Sequence, residues 1–184
     1  MALAHTPICE YGKPAPDFRL KGIDENFRTL HDCAGEKGVL VMFISNHCPY
    51  VKAIRKKLVR DCTDLQALGV GCVAIMPNDT VNYPEDSLPT MKQVAEKFEF
   101  PFPYLIDETQ QVARAYGAVC TPDFFGYNAN LELQYRGRLD GAGANPDAGD
   151  EPRELYQAMK QVAETGRGPE KQLASMGCSI KWKS

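Results

Sequence analysis

Two short apolar runs with an amphipathic segment between them constrain the fold of this chain more than any other feature. Residues 39–44 and 72–76 contain no charged residue and have the length of β-strands. Such uninterrupted runs are typical of strands that are covered on both faces of a sheet. Between them, apolar side chains recur at helical spacing from Val51 to Leu65, with basic residues interspersed, and Gly69 follows. The pattern therefore predicts a β-α-β unit.

Further elements extend this unit in both directions. A hairpin is predicted before it, at residues 18–30, around a turn at Gly22. Beyond it, the apolar periodicity predicts a helix, a strand, a short helix, two strands and a helix, at residues 88–98, 103–106, 110–116, 123–127, 131–139 and 152–164. Alternating βα units that end in an antiparallel pair predict an α/β fold, with a mixed central sheet and helices on both faces. We expect one domain over residues 1–184, with a C-terminal tail at residues 166–184.

The composition excludes several classes of function. The chain has 184 residues, 43% of them apolar, and a net charge of −3, so we expect no binding to nucleic acid and no general attraction to anionic membranes. The first residues lack a basic segment followed by an apolar one, and no apolar run approaches the roughly 20 residues that span a bilayer. We therefore expect a cytoplasmic protein.

The cysteines do not form a structural framework. Their number is odd and they are scattered, at Cys9, Cys33, Cys48, Cys62, Cys72, Cys120 and Cys178. Neither a C-x-x-C pair nor a zinc-ribbon spacing occurs, so we predict no structural disulfides, no metal site and no cofactor. Cys62 and Cys72 fall at apolar positions of the predicted helix and strand, where a buried thiol usually behaves as a small hydrophobic residue.

Cys48 stands out because of its position. The stretch SNHCPYV at residues 45–51 follows the first apolar run and precedes the amphipathic segment. Proline is favoured at the first position of a helix, so Pro49 predicts that Cys48 is the N-cap residue. Its sulfur would then face the free backbone N–H groups of Tyr50 and Val51 and the positive end of the helix dipole. That placement favours a thiolate over a thiol.

The neighbours of Cys48 strengthen the prediction of a thiolate and limit the reactions that it can carry out. His47, when protonated, and the basic residues Lys52 and Arg55 would also favour a thiolate. Val51 stands where a C-P-x-C motif has its second cysteine, which excludes dithiol chemistry between neighbouring residues. The alternative is that Cys48 is merely a small N-cap residue that fills a loop, and that His47 merely lines it.

Three features of this chain resemble the thioredoxin-like superfamily: GKPAPDF at residues 12–18, Cys48-Pro49 at a helix start and Thr121-Pro122 before a strand. Four longer motifs follow, NHCPYV at 46–51, CTPDFF at 120–125, YRGR at 135–138 and GCSIKW at 177–182. Within the superfamily the resemblance is to the redoxin branch, which includes alkyl hydroperoxide reductase and thiol-specific antioxidant proteins. The last four motifs are similar to those of a bacterial group of thioredoxin-like proteins. The resemblance covers nearly the whole chain and implies a thioredoxin fold.

The resemblance also implies roles for residues outside the helix start. Pro122 is expected to follow a cis peptide bond and to pack beside Cys48. Ser45 matches the hydroxyl position of the peroxiredoxin motif P-x-x-x-T/S-x-x-C, although Val41 occupies the proline position. Arg136 would hold the thiolate or polarise a bound peroxide. From the residues themselves, however, Arg136 lies on the polar face of an alternating strand and is expected to be solvated.

A reactive single cysteine needs a second sulfur. Oxidation by a peroxide gives a sulfenic acid, and attack on a disulfide gives a mixed disulfide, and both are resolved by another thiol. Cys120, two residues before Pro122, is one candidate, and Cys178 in a mobile tail that Trp182 could dock is the other. An external low-molecular-weight thiol or a thioredoxin could replace either.

We therefore predict a thiol oxidoreductase that reduces a peroxide through Cys48, as a peroxiredoxin-like antioxidant. The first alternative is a thiol-disulfide reductase or isomerase that acts on protein disulfides. The second is a redox-silent binding module that holds an extended peptide in the cleft around Pro122. The sequence leaves the oligomeric state open.

Overall fold

The computed structural model describes residues 2–184. Within these residues, ten strands and five α-helices follow one another. The strands are β1 (Leu3–His5), β2 (Arg19–Gly22), β3 (Phe27–Thr29), β4 (Gly38–Phe43), β5 (Val70–Met76), β6 (Tyr104–Ile106), β7 (Cys120–Thr121), β8 (Asp123–Asn128), β9 (Leu133–Tyr135) and β10 (Met176–Ser179). The helices are α1 (Leu30–Cys33), α2 (Pro49–Ala67), α3 (Leu88–Phe98), α4 (Gln111–Tyr116) and α5 (Glu154–Thr165), with a 3-10 helix at Pro84–Asp86.

The central sheet is mixed, as the sequence predicts. One ladder has the order β3-β2-β6-β5 and another the order β4-β8-β9. They meet where the Ile44 amide donates a hydrogen bond of 3.0 Å to the carbonyl oxygen of Ile75. Strands β5 and β6 are parallel, whereas the other pairs are antiparallel. A small separate sheet joins the two ends of the chain in the order β1-β10-β7.

Both faces of the central sheet are covered, which explains the uninterrupted apolar runs. Side chains of β4 point alternately to the two faces. Leu40 and Met42 belong to a cluster with buried residues of α2, α3 and α5, and Val41 and Phe43 belong to a second cluster with those of α1 and α4. The predicted mixed sheet with helices on both faces is confirmed.

The alternating strand is the element for which the pattern was misleading. Strand β9 covers only three residues, and the two polar residues Gln134 and Arg136 are both 7% exposed. Distant segments pack against this part of the chain: Gly12 donates to the Leu133 carbonyl at 2.8 Å, and the Gln172 side chain donates to the Gln134 carbonyl at 2.8 Å. The prediction that Arg136 is solvated is therefore wrong, because distant segments bury the face that local periodicity marks as polar.

The C-terminal tail also differs from the expectation of a mobile segment. It folds back onto the body, and its strand β10 is the central strand of the small sheet. Cys178 lies opposite Leu3 on one side and Thr121 on the other. Trp182 packs beneath the guanidinium of Arg114, which lies 4.2 Å from the ring centroid. The tail is thus part of the packed structure.

Among residues 2–184, none of the helices combines the length and the apolar character that crossing a bilayer requires.

Candidate active site

Cys48 is the N-cap residue of α2, and Pro49 occupies the first turn. This placement confirms the position that the sequence predicts. The expected contact with the free amides is not formed, however, because the Cys48 side chain makes no capping hydrogen bond. The residue is 0% exposed, and its sulfur lies 3.1 Å from the Thr121 carbonyl oxygen and 3.0 Å from the sulfur of Cys178. The helix start thus holds a buried thiol beside a second one.

The Thr121–Pro122 segment forms one wall around Cys48. Its peptide bond is cis, as the resemblance implies. The Thr121 carbonyl oxygen faces the Cys48 sulfur, and Pro122 is the next residue along the chain. The hydroxyl of Ser45 lies 3.3 Å from the hydroxyl of Thr121, so these two buried groups hydrogen-bond to each other. Ser45 thereby links the loop before α2 to this wall, and its role toward Cys48 stays a prediction.

Cys178 is brought to Cys48 by the small sheet. It pairs with Thr121 across β10 and β7, and residues that face each other in such a pair share a face of the sheet. The strands approach closely at Gly177, where a Cβ atom would lie only 2.0 Å from the Thr121 carbonyl oxygen. Burial and the neighbouring Cys48 sulfur raise the pKa of the Cys178 thiol to about 12. Cys178 is therefore a protonated thiol at neutral pH.

Cys120 is nearby but does not join the pair. Its sulfur lies 3.5 Å from the Pro122 carbonyl oxygen, and within residues 2–184 it makes no contact with the sulfur of Cys48 or Cys178 of the kind those two make with each other. Successive side chains on a strand point to opposite faces, so Cys120 points away from the face that Thr121 shares with Cys178. Burial raises the pKa of the Cys120 thiol. Of the two predicted partners, the structure places only Cys178 against Cys48.

His47 is held by a carboxylate. Its Nδ1 lies 2.6 Å from Oδ2 of Asp86, and its ring stacks on that of Tyr83, at 5.7 Å between centroids and 8° between planes. Asp86 is fully buried and also accepts hydrogen bonds from the Asn46 amide, at 2.7 Å, and from the Asn78 side chain, at 2.9 Å. Burial alone would raise the pKa of Asp86, but the neighbouring His47 ring, followed by the donors Asn78 and Asn46, outweighs burial and lowers it. Asp86 is therefore a carboxylate.

The basic residue that faces this loop is Arg55. Its guanidinium donates to the Asn46 carbonyl and lies 4.9 Å from the ring centroid of Phe98. The hydroxyl of Tyr104 donates to the Asn46 side chain at 2.8 Å. Burial lowers the pKa of Arg55, and nearby charge on Tyr104 or Cys48 would raise it. Arg55 is thus a buried cation near the start of α2, bound to the residue two positions before Cys48.

Arg136 does not occupy the position that the resemblance implies. It pairs with Asp123 at 3.1 Å, donates to the Gly117 carbonyl at 2.9 Å and packs over Phe125 at 4.4 Å. Within the described chain it makes no contact with Cys48. The physical reason is the sheet itself, since Phe125 belongs to the cluster on one face and Cys48 to the cluster on the other.

Sequence reasoning missed Asp86 and Asn78, because both lie in the polar loop at residues 78–86 between predicted elements. This loop forms hydrogen bonds with the segment before Cys48 and with the segment after Cys178. Asn78 donates to Asp86, and its side-chain oxygen accepts from the Lys181 amide at 2.9 Å, three residues after Cys178. A polar loop carries no periodic signal, so its role becomes visible only once the chain is folded.

A cavity of about 200 Å³ opens between the first turns of α2, Pro122 and the residues that precede Cys178, and neither sulfur lines it. Its lining includes Pro122 and, from the first turns of α2, Tyr50 and Ile54, together with Ser175 and Met176 before Cys178. No group of three or more potential metal ligands lies together within the part of the chain that the structure describes. The two buried sulfurs in contact at the start of α2 can carry out thiol chemistry.

Comparisons with known proteins agree with the geometry. The AhpC/TSA family matches residues 11–140. A structure of an uncharacterised conserved protein from Geobacillus kaustophilus is 45% identical, with a TM-score of 0.93 over 100% of this chain and 97% of that one. A hypothetical protein from Sinorhizobium meliloti 1021 is 36% identical, with a TM-score of 0.91 over 98% of each chain.

A more distant structure shares the fold alone. Peroxidoxin BcpB from Mycobacterium tuberculosis is 15% identical, with a TM-score of 0.62 over 88% of this chain and 100% of that one. A search of curated protein sequences found no match.

Proposed function

Because the chain belongs to the AhpC/TSA family and is a thiol oxidoreductase with the thioredoxin fold, we propose that it reduces peroxides with Cys48 and Cys178 as its two working thiols. The observation that carries this proposal is the distance of 3.0 Å between the two sulfurs at the start of α2. A covalent S–S bond is about 2.05 Å long, so a shift of about 1 Å would join them.

The proposed cycle has three steps. The Cys48 thiolate attacks the distal peroxide oxygen, the O–O bond breaks, and sulfenic acid and an alcohol or water result. The Cys178 sulfur then attacks the Cys48 sulfur, the S–O bond breaks, water leaves, and a Cys48–Cys178 disulfide forms. Two thiol groups of an external reductant, a thioredoxin or a low-molecular-weight thiol, reduce this disulfide and restore both cysteines.

Burial favours a peroxide over a protein disulfide as the oxidant. Cys48 is 0% exposed, and the cavity that Pro122, Tyr50 and Ile54 line does not include its sulfur. Any oxidant therefore reaches Cys48 only through local movement, and a small peroxide requires less movement than a protein disulfide does. The second candidate function, thiol-disulfide exchange, is supported by the same sulfur pair, since two thiols in contact can also reduce a disulfide.

Peptide mapping after one equivalent of hydrogen peroxide tests the proposal. The wild-type protein should lose two free thiols and yield a peptide pair that joins Cys48 and Cys178. Cys178→Ser should stop at a sulfenic acid on Cys48 that dimedone traps. Cys120→Ser, a matched buried thiol outside the pair, should behave as the wild type.

Two results would overturn the proposal. One is a Cys48 thiol that reacts with hydrogen peroxide no faster than glutathione does at the same pH, as a binding module would show. The other is a disulfide between Cys48 and Cys120. Rapid reaction of the wild type with a small disulfide, combined with slow reaction with peroxide, would instead favour thiol-disulfide exchange.

A further inference from the structure

We propose that His47 and Asp86 form a proton-transfer dyad for the reaction at Cys48, in which His47 carries the proton and Asp86 positions it. This inference deepens the proposed function and rests on it. Breaking an O–O bond leaves an alkoxide or hydroxide, which is a poor leaving group unless it receives a proton as it departs. In this proposal His47, which directly precedes Cys48 in the chain, supplies that proton.

The geometry assigns different tasks to the two ring nitrogens of His47. Nδ1 is shielded from solvent and lies 2.6 Å from Oδ2 of Asp86, within the distance of an ion pair, although the ring N–H is not aligned for a hydrogen bond. A carboxylate in that position keeps a proton on Nδ1 and fixes the ring, as in other carboxylate–histidine pairs. Nε2 has no hydrogen-bond partner within residues 2–184, and the side chain is 12% exposed. Nε2 is therefore the nitrogen that can exchange a proton with a reactant.

Asp86 is itself held more firmly than a surface carboxylate. It is 0% exposed, and its oxygens accept from the Asn46 amide and the Asn78 side chain as well as facing His47. Asn46 is in turn fixed by the Tyr104 hydroxyl and by Arg55. The stacked Tyr83 ring restricts rotation of the imidazole from the other direction. The loop at residues 78–86 thus supplies a rigid support for one proton carrier.

Cys48 first loses its thiol proton to solvent and Nε2 of His47 takes up a proton from solvent, and the Cys48 thiolate then attacks the distal peroxide oxygen. The S–O bond forms while the O–O bond breaks, so sulfur is oxidised by two electrons and the peroxide is reduced. The proton on Nε2 then passes to the departing oxygen, which leaves as an alcohol or water. His47 returns to its neutral form with the proton on Nδ1 still facing Asp86.

The test compares two oxidants of similar size with different leaving groups. Peracetic acid releases acetate, which needs no proton, whereas ethyl hydroperoxide releases an alkoxide, which does. The first step is isolated in the Cys178→Ser protein and followed by dimedone trapping after rapid mixing. His47→Asn keeps an amide N–H near the place of Nδ1, so it preserves the contact with Asp86 while removing Nε2.

Loss of the dyad should slow only the reaction that needs the proton. We expect His47→Asn to slow oxidation by ethyl hydroperoxide about 100-fold or more, and oxidation by peracetic acid less than about threefold. Asp86→Asn should show the same selectivity if it folds. His31→Asn, a matched change of an exposed histidine on α1, should alter neither rate.

Equal slowing with both oxidants would overturn the proposal, since it is the signature of a purely structural role. An unchanged rate with ethyl hydroperoxide in His47→Asn would overturn it as well. The failure of the proposed function would look different, because the Cys178→Ser protein with His47 intact would then react with both oxidants no faster than glutathione does.

Discussion

Asn78 offers the sharpest test of how the protein brings its two sulfurs together. Its side chain donates to Asp86 at 2.9 Å and accepts from the Lys181 amide at 2.9 Å, so it connects the support of His47 with the segment that carries Cys178. The change Asn78→Ala removes both hydrogen bonds at once. Because Asn78 is 4% exposed, water does not readily replace them.

The expected loss of stability can be worked out bond by bond. The bond to the charged Asp86 contributes about 1.5–3 kcal/mol, and the partly buried Lys181 amide that loses its acceptor costs about 1 kcal/mol. The sum of about 2.5–4 kcal/mol corresponds to a fall in Tm of roughly 5–15 °C for a chain of this size. Thermal unfolding followed by circular dichroism measures it, and Asn130→Ala in an exposed turn is the control.

The same change should slow the second chemical step. The Lys181 hydrogen bond helps to hold β10 in the position where Cys178 contacts Cys48. Losing about 1 kcal/mol there should slow disulfide formation about fivefold. Fluorescence of Trp182, the only tryptophan, reports the tail directly, and rapid quenching with dimedone reports the lifetime of the sulfenic acid. Asn78→Ala protein that unfolds at the wild-type temperature and forms its disulfide at the wild-type rate would refute this account.

Three further predictions concern charge around the sulfurs. Arg55→Met should slow alkylation of Cys48 at neutral pH about tenfold, which corresponds to a loss of about 1.4 kcal/mol of charge stabilisation. Arg60→Met, at a more exposed position on the same helix, should leave the alkylation rate unchanged. Cys48→Ala should lower the pKa of Cys178 from about 12, because the neighbouring sulfur helps to raise it; a pH series of alkylation that matches the wild type would contradict this. In urea unfolding, the free energy of unfolding of Asp86→Asn should fall furthest below that of the wild type above about pH 4. The difference should shrink at lower pH, because the lowered pKa of Asp86 stabilises the fold only while the carboxylate is charged. A stability difference that does not change with pH would contradict this prediction.

The position of Cys48 in the fold was predictable because it depends on local pattern. The apolar run at residues 39–44 indicates a strand covered on both faces, and Pro49 after Cys48 indicates a helix start. The structure has both features, in β4 and at the N-cap of α2. Periodicity failed at Arg136, because burial of a polar strand face depends on segments far away in the chain. The roles of Asp86 and Asn78 were invisible for the same reason.

By itself, the sequence determined the α/β architecture and the cysteine at the start of α2, since hydrophobic spacing and proline stereochemistry act over a few residues. Only the tertiary structure decided which thiol faces Cys48. Cys178 lies 130 positions further along the chain, and it reaches Cys48 because β10 pairs with β1 and β7 in a sheet formed from the two ends of the chain. Such a contact follows from topology and hydrogen-bond register, which no local pattern encodes.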